Sequence, residues 1–238
     1  MSRLEVFPIM GVPEVRPGDD LAGQIVDAAN AGEGTALADF DVLVVTQKVV
    51  SKAEGKLVAV DPDDPLSHKA LVEAESVRVV RRRETLIISE TRHGFVCANA
   101  GVDLSNVELG YAALLPDDSD RSARRLRDGI KARAGVDVGV IVSDTFGRVW
   151  RQGLTDVAIG CAGIAAIVDL RGTVDSQGRE LQVTQVCVVD ELAGAADLVM
   201  GKATGAAAAV IRGVDRSWFR RSDVRSEIIR RPEDDLFR

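Results

Sequence analysis

Asp144 and Thr145 stand side by side, one serine after the apolar run Val138 to Val142, in the segment GVIVSDTFGRVWRQG that occupies 139–153. Carboxylate and hydroxyl oxygens are hard donors, and two together suit Mg²⁺ or Mn²⁺. A buried strand that turns polar delivers ligands at its carboxyl end. Taken alone, the segment reads equally well as a strand followed by an Asx-type turn. A second group is Asp103, Ser105 and Asn106, three oxygen-bearing side chains within four residues of NAGVDLSN. It is either a metal or phosphate loop or a turn built from turn formers. Lys48 and Lys52 form a third group, four residues apart after the apolar run DVLVVT (41–46). On a helical turn they share a face, either toward a phosphate or toward solvent.

These groups need elements to hold them. Leu4 to Met10 and Asp41 to Thr46 read as strands, and Val138 to Val142 as the strand before Asp144. Between the first two lies Gly11 to Asp20, whose two prolines make a fixed loop. That loop either touches a ligand or simply connects strand to helix. Asp19 or Asp20 caps a helix from Leu21 to Ala31. Apolar spacing predicts a helix over 68–83, closed by Arg81, Arg82 and Arg83 at its negative end. Leu86 to Ser89 and Gly94 to Cys97 read as strands, and 122–134 as a basic helix. Leu154 to Leu170 is small, apolar core, helix or strand left open. DSQGRE (175–180) is a hairpin turn, 181–189 a strand, 192–200 a helix and 207–212 a strand. The tail from Asp215 to Arg238 is highly charged.

The chain has 238 residues, enough for one full core, and aromatics make up 4% of it. A net charge of −7 argues against broad nucleic-acid or anionic-membrane binding. Cys97, Cys161 and Cys187 are odd in number and far apart, which suits reduced thiols in the cytoplasm. Two histidines, His68 and His93, are too few for a His-rich zinc site or a His-based triad. No signal peptide or membrane span is expected. Neither G-x-x-x-x-G-K-[ST] nor G-x-G-x-x-G occurs, so any nucleotide is held by another arrangement.

Taken together, GVPEVRPGDDL, VLVVTQKVVSKAEG, NAGVDLSN, SDTFGRVWRQGLTDVAIG, DSQGREL and DELAGAADLVMGK resemble, in order and spacing, the coenzyme F420-0:L-glutamate ligases. The resemblance covers about residues 3 to 237, and SDTFGR-W-R-G is its most specific block. It implies an α+β, mixed-sheet, two-lobed fold peculiar to that family, one domain over 1–238, and an intertwined homodimer. A flavin-reductase-like domain, which follows in some relatives, is expected to be absent. The implied reaction is GTP-dependent addition of L-glutamate to coenzyme F420-0, with further γ-linked glutamates and an acyl-phosphate intermediate. By the same resemblance Asp103, Asp144 and Thr145 hold divalent Mg²⁺ or Mn²⁺ at two sites. Val12, Pro13, Glu14, Val15, Gln47, Lys52 and Asn106 contact GTP, and a later loop from Gly201 to Ala208 adds Lys202 and Thr204. Lys202 departs from the Gln or acid of many relatives. Asp144 and Arg148 are the catalytic candidates, with Arg148 or Arg151 neutralising anionic charge. The other readings are a metal-dependent nucleotide phosphohydrolase and a non-catalytic nucleotide-binding subunit.

Overall fold

The structure is a computed structural model that describes residues 3–236; residues 1, 2, 237 and 238 of the expected domain lie outside the described residues. The chain begins with β1 (Glu5–Ile9), α1 (Leu21–Ala31), β2 (Val42–Thr46), α2 (Gln47–Ala53), β3 (Leu57–Ala59) and α3 (Lys69–Glu75). It continues through β4 (Ser76–Arg83), β5 (Leu86–Thr91), β6 (Val96–Ala98), β7 (Tyr111–Ala113), α4 (Ser119–Ala134), β8 (Gly139–Arg148) and β9 (Arg151–Ala162). Then come β10 (Val168–Asp169), β11 (Gln185–Val186), α5 (Val188–Met200), β12 (Ala208–Arg212) and α6 (Val224–Glu227).

Five strands make the central sheet, in the order β1-β12-β2-β8-β9. β2 and β8 run parallel, and the other neighbours are antiparallel. Val42 to Val45 and Val140 to Val142 are wholly buried. They read as unbroken apolar runs because the sheet is covered on both faces there. α4 and α5 both pack on β9, and α1 packs on α4. Asp20 caps α1 by accepting from the Gly23 amide at 3.1 Å, and Asp118 caps α4 by accepting from the Arg121 amide at 2.8 Å. β4, β5 and β6 form a separate sheet, β3 pairs with β7, and β10 with β11. Val72, Ile87, Ala100, Val102 and Ala112 make a small apolar cluster beside the main core. The architecture is the expected mixed-sheet α+β arrangement, with six α-helices among the described residues. No helix among them is long and apolar enough to cross a membrane.

Four expectations need correction. The helix expected over 68–83 stops at Glu75, and SVRVVRRR becomes β4, so the three arginines lie in a strand. Val77, Val79 and Val80 are β-branched and favour the extended chain, and register shifts absorb their uneven spacing against β5. The strand expected over 181–189 shrinks to Gln185–Val186, because α5 already begins at Val188. The basic helix begins at Ser119, a turn earlier than expected, where Asp118 supplies the cap. Ser143 to Thr145 is not the turn that one reading made it: β8 runs on to Arg148 and pairs with β9, and the segment left open after Leu154 is strand as far as Ala162, with 163–167 outside any strand before β10.

Gly160 sits where β9 passes under the start of α4. A Cβ there would lie 2.3 Å from the Ser119 carbonyl carbon and 2.6 Å from the Asp120 nitrogen. Both neighbours are backbone and cannot rotate away. Gly160→Ala is expected to destabilise the fold by about 1–3 kcal/mol, read from the shift of a urea midpoint at unchanged slope.

Candidate active site

Thr46 pairs with Ser143 in the parallel register of β2 and β8. The residues that follow, Gln47 and Asp144, therefore lie side by side at the carboxyl end of β2, where Gln47 starts α2 while Asp144 continues in β8, and open α/β sheets collect ligands at such ends. A cavity of about 700 Å³ opens there. Its walls are the loop Val12–Val15, α2 (Gln47, Lys48, Lys52), 106–108, β8 (Ser143–Thr145), Asp156 of β9, Asp197 of α5 and the loop from Gly201 to Ala207. That volume is of the size usual for a small-molecule site.

Gln47 is 1% exposed. Its Oε1 accepts from Ser51 Oγ at 2.8 Å, while its Nε2 has no partner. A buried amide donor left open on a cavity wall calls for an acceptor from a ligand. Lys52, 7% exposed, reaches Glu14 Oε1 at 2.5 Å across the wall. Lys48 bonds Asp103 at 2.8 Å. Burial works against the Asp103 carboxylate, but the Lys48 ammonium and the Ser105 amide hold its pKa below the ordinary value. Asn106, at φ 54°, donates from Nδ2 to the Lys202 carbonyl at 3.3 Å. The 103–108 and 201–207 loops are thus joined over the cavity.

Side chains alternate along a strand, and this divides the Asp144–Thr145 pair. Thr145 lies opposite Asp156 in the β8–β9 register and donates to its Oδ1 at 2.5 Å. Ser143 donates to the other oxygen at 2.9 Å. Asp144 belongs with Asp103 instead. Burial, with the Asp103 and Asp156 carboxylates adding to it, pushes the Asp144 carboxyl up to about 7. Lys202 Nζ bonds Thr145 Oγ1 and lies 3.3 Å from Asp156 and 3.5 Å from Asp197.

The cavity lining carries five carboxylates (Glu14, Glu108, Asp144, Asp156 and Asp197) against three lysines. Phosphates cannot settle against that balance without further positive charge. Among the described residues no three His, Cys, Asp or Glu side chains converge as a ready-made metal site. The donors nevertheless suit a cation. Burial, with the Asp103 and Asp156 carboxylates adding to it, disfavours the Asp144 carboxylate, while the Lys48 and Lys202 ammonium groups sit on Asp103 and Asp156. Hard oxygens with unmatched negative charge fit Mg²⁺ or Mn²⁺.

Ten of the sequence candidates line the cavity: Val12, Pro13, Glu14, Val15, Gln47, Lys52, Asn106, Asp144, Thr145 and Lys202. Asp103 joins them through Lys48. Arg148 and Thr204 are not among the lining residues. Arg148 is exposed at the tip of the β8–β9 hairpin, donating to the Gln152 carbonyl at 3.2 Å, beside Trp150 at 83% exposure. Thr204 Oγ donates to the Met200 carbonyl and closes the end of α5. Sequence reasoning missed Asp156 and Asp197. Asp156 carried a signal, an acid among the small, apolar residues 154–168, because a buried carboxylate must have partners.

A sequence model of the family described as F420-0:Gamma-glutamyl ligase matches residues 10–213. The chain is 44% identical over 255 residues to the coenzyme F420:L-glutamate ligase of Methanopyrus kandleri, covering 100% of this chain and 99% of the relative. It is 41% identical to the protein of that name from Methanothermobacter thermautotrophicus, covering 99% of each chain. The namesake from Archaeoglobus fulgidus is 39% identical, with 99% and 97% covered.

Proposed function

The chain belongs to the F420-0:gamma-glutamyl ligase family, and from that premise we propose that it joins L-glutamate to coenzyme F420-0 and then adds further γ-linked glutamates at the cost of GTP. The observation that carries the reading is the convergence of Gln47, Lys52, Asn106, Asp144, Thr145 and Lys202, from separate segments, on one cavity. Amide formation needs an electrophilic carboxyl group. Transfer of the GTP γ-phosphoryl group to the precursor carboxylate gives an acyl phosphate and GDP. The glutamate amine then attacks the acyl carbon, and phosphate leaves.

Every partner in these steps is anionic, so positioning and charge compensation are the protein's main contribution. Val12 to Val15, Gln47 and Asn106 bind and orient the nucleotide. Lys52 approaches its phosphates by exchanging Glu14 for a phosphate oxygen. Asp103, Asp144 and Thr145 would hold Mg²⁺ or Mn²⁺, which supplies charge neutralisation at phosphate oxygens. The working unit is read as a cytoplasmic homodimer. β4 at its sheet edge exposes Val77 and Val80, apolar surface that a second copy would cover.

The test is mass spectrometry of the deazaflavin precursor incubated with the protein, L-glutamate, GTP and Mn²⁺. Mass steps of one glutamyl residue, absent without GTP, are expected. GDP release with no mass step would instead mark a nucleotide phosphohydrolase, and neither product a binding subunit. In the same assay Lys52→Met is expected to raise KM for GTP about 10- to 100-fold, the worth of one charge-assisted hydrogen bond. An unchanged KM would remove Lys52 from the phosphate site.

A further inference from the structure

We propose that the Lys202 ammonium is a resident cation of this site, filling the seat between Thr145, Asp156 and Asp197 that a divalent ion would otherwise take. The inference rests on the metal part of the reading above and revises it at Thr145, leaving the divalent ion to Asp103 and Asp144. Lys202 opens the loop that follows α5, and its Nζ meets oxygens from three elements. It bonds Thr145 Oγ1 of β8, lies 3.3 Å from Asp156 Oδ1 of β9 and 3.5 Å from Asp197 Oδ1 of α5. An ammonium has three donors and no acceptor, so three converging oxygens saturate it.

Asp156 shows why a cation belongs there. It is 3% exposed, and its other partners are the hydroxyls of Ser143 and Thr145. Hydroxyls satisfy hydrogen bonds but leave the buried charge uncancelled. The backbone of Lys202 is also committed, since its carbonyl accepts from Asn106 at 3.3 Å. One residue therefore ties the cation seat to the loop across the cavity.

Two seats follow, and they differ. At the first seat the Lys48 ammonium reaches Asp103 alone, at 2.8 Å, and no ion pair among the described residues involves Asp144, whereas at the second one ammonium meets Thr145, Asp156 and Asp197 together. The native chain should bind one divalent ion, and a chain without the ammonium should bind two.

Mn²⁺ uptake by the full chain, without nucleotide, tests this. Free Mn²⁺ is followed by its electron paramagnetic resonance signal, and folding is confirmed by circular dichroism. One ion per native chain and two per Lys202→Gln chain are expected, with Asp156→Asn added to Lys202→Gln returning the count to one. Lys202→Arg, which keeps the charge, is expected to stay at one, and Lys202→Met gives a second neutral variant should Lys202→Gln fail to fold. Equal uptake by native and neutral variants overturns the inference, as does uptake of two ions by the native chain. No uptake by any of them overturns it together with the metal assignment, while the glutamyl mass steps still decide the ligase reading separately.

Discussion

Asp144→Ala is expected to lower glutamate addition by a factor of about 10² to 10³ or more, the usual cost of removing one electrostatic contributor to a charged transition state. It should do so without loss of the fold. The Asp144 carboxyl is pushed up to about 7 by burial and by the Asp103 and Asp156 carboxylates. As a carboxylate it is disfavoured first by burial and then by its like-charged neighbours, so its removal relieves that cost. The thermal midpoint of the variant should equal or exceed that of the native chain above pH 7, where the carboxylate is charged, in the way that functional groups are held at a cost to stability. Asp103→Ala should also lose activity but behave differently in stability, because it strands Lys48, now bonded to it at 2.8 Å. Near-normal ligation by Asp144→Ala would remove Asp144 from the reaction.

The largest effect on stability is expected from Asp120→Ala, far from the chemistry. Asp120 lies in the first turn of α4 and is 6% exposed. Its Oδ1 accepts from the amides of Cys161 and Val224 at 2.8 Å each. Its Oδ2 accepts from the Arg225 amide at 3.1 Å. One carboxylate thus ties the start of α4 to the end of β9 and to α6. Removing it leaves two buried amides and one half-buried amide to be satisfied, at about 1–3 kcal/mol for each buried donor left open. A total loss of about 3 kcal/mol or more is expected in denaturant unfolding. Asp120→Asn, which keeps an acceptor oxygen, should lose less. A change below about 0.5 kcal/mol, the range of an ordinary surface substitution, would refute the clamp.

The legible parts of this molecule were those set by local rules. The apolar runs at 42–46 and 138–142 became adjacent central strands, and Asp20 capped the helix it was expected to cap. Asp175 closed its turn, accepting from the Gln177 and Arg179 amides at 2.8 and 2.9 Å. Local rules failed where two periodicities competed. Leu71, Val72, Val79 and Val80 fit a helical spacing on paper, yet pairing with β5 took Ser76–Arg83 into a strand. Tertiary hydrogen bonding outweighed a weak local preference there.

The sequence by itself determined the family through a chain-long order of motifs, and with it most of the cavity wall: Val12 to Val15, Gln47, Lys52, Asn106, Asp144, Thr145 and Lys202. Asp144, Thr145 and Lys52 are also marked by type and by their place after a buried strand, while the others rest on the resemblance. Only the tertiary structure decided how those residues divide among themselves. Register across β8 and β9 set Thr145 against Asp156, 11 residues away, and alternation left Asp144 with Asp103. The turn after α5 brought Lys202 onto both Asp156 and Thr145. The same register carried Arg148 out to an exposed hairpin tip. Residue type says what a side chain can do, but strand register and loop closure choose its neighbours, and the charge balance of this site depends on those neighbours.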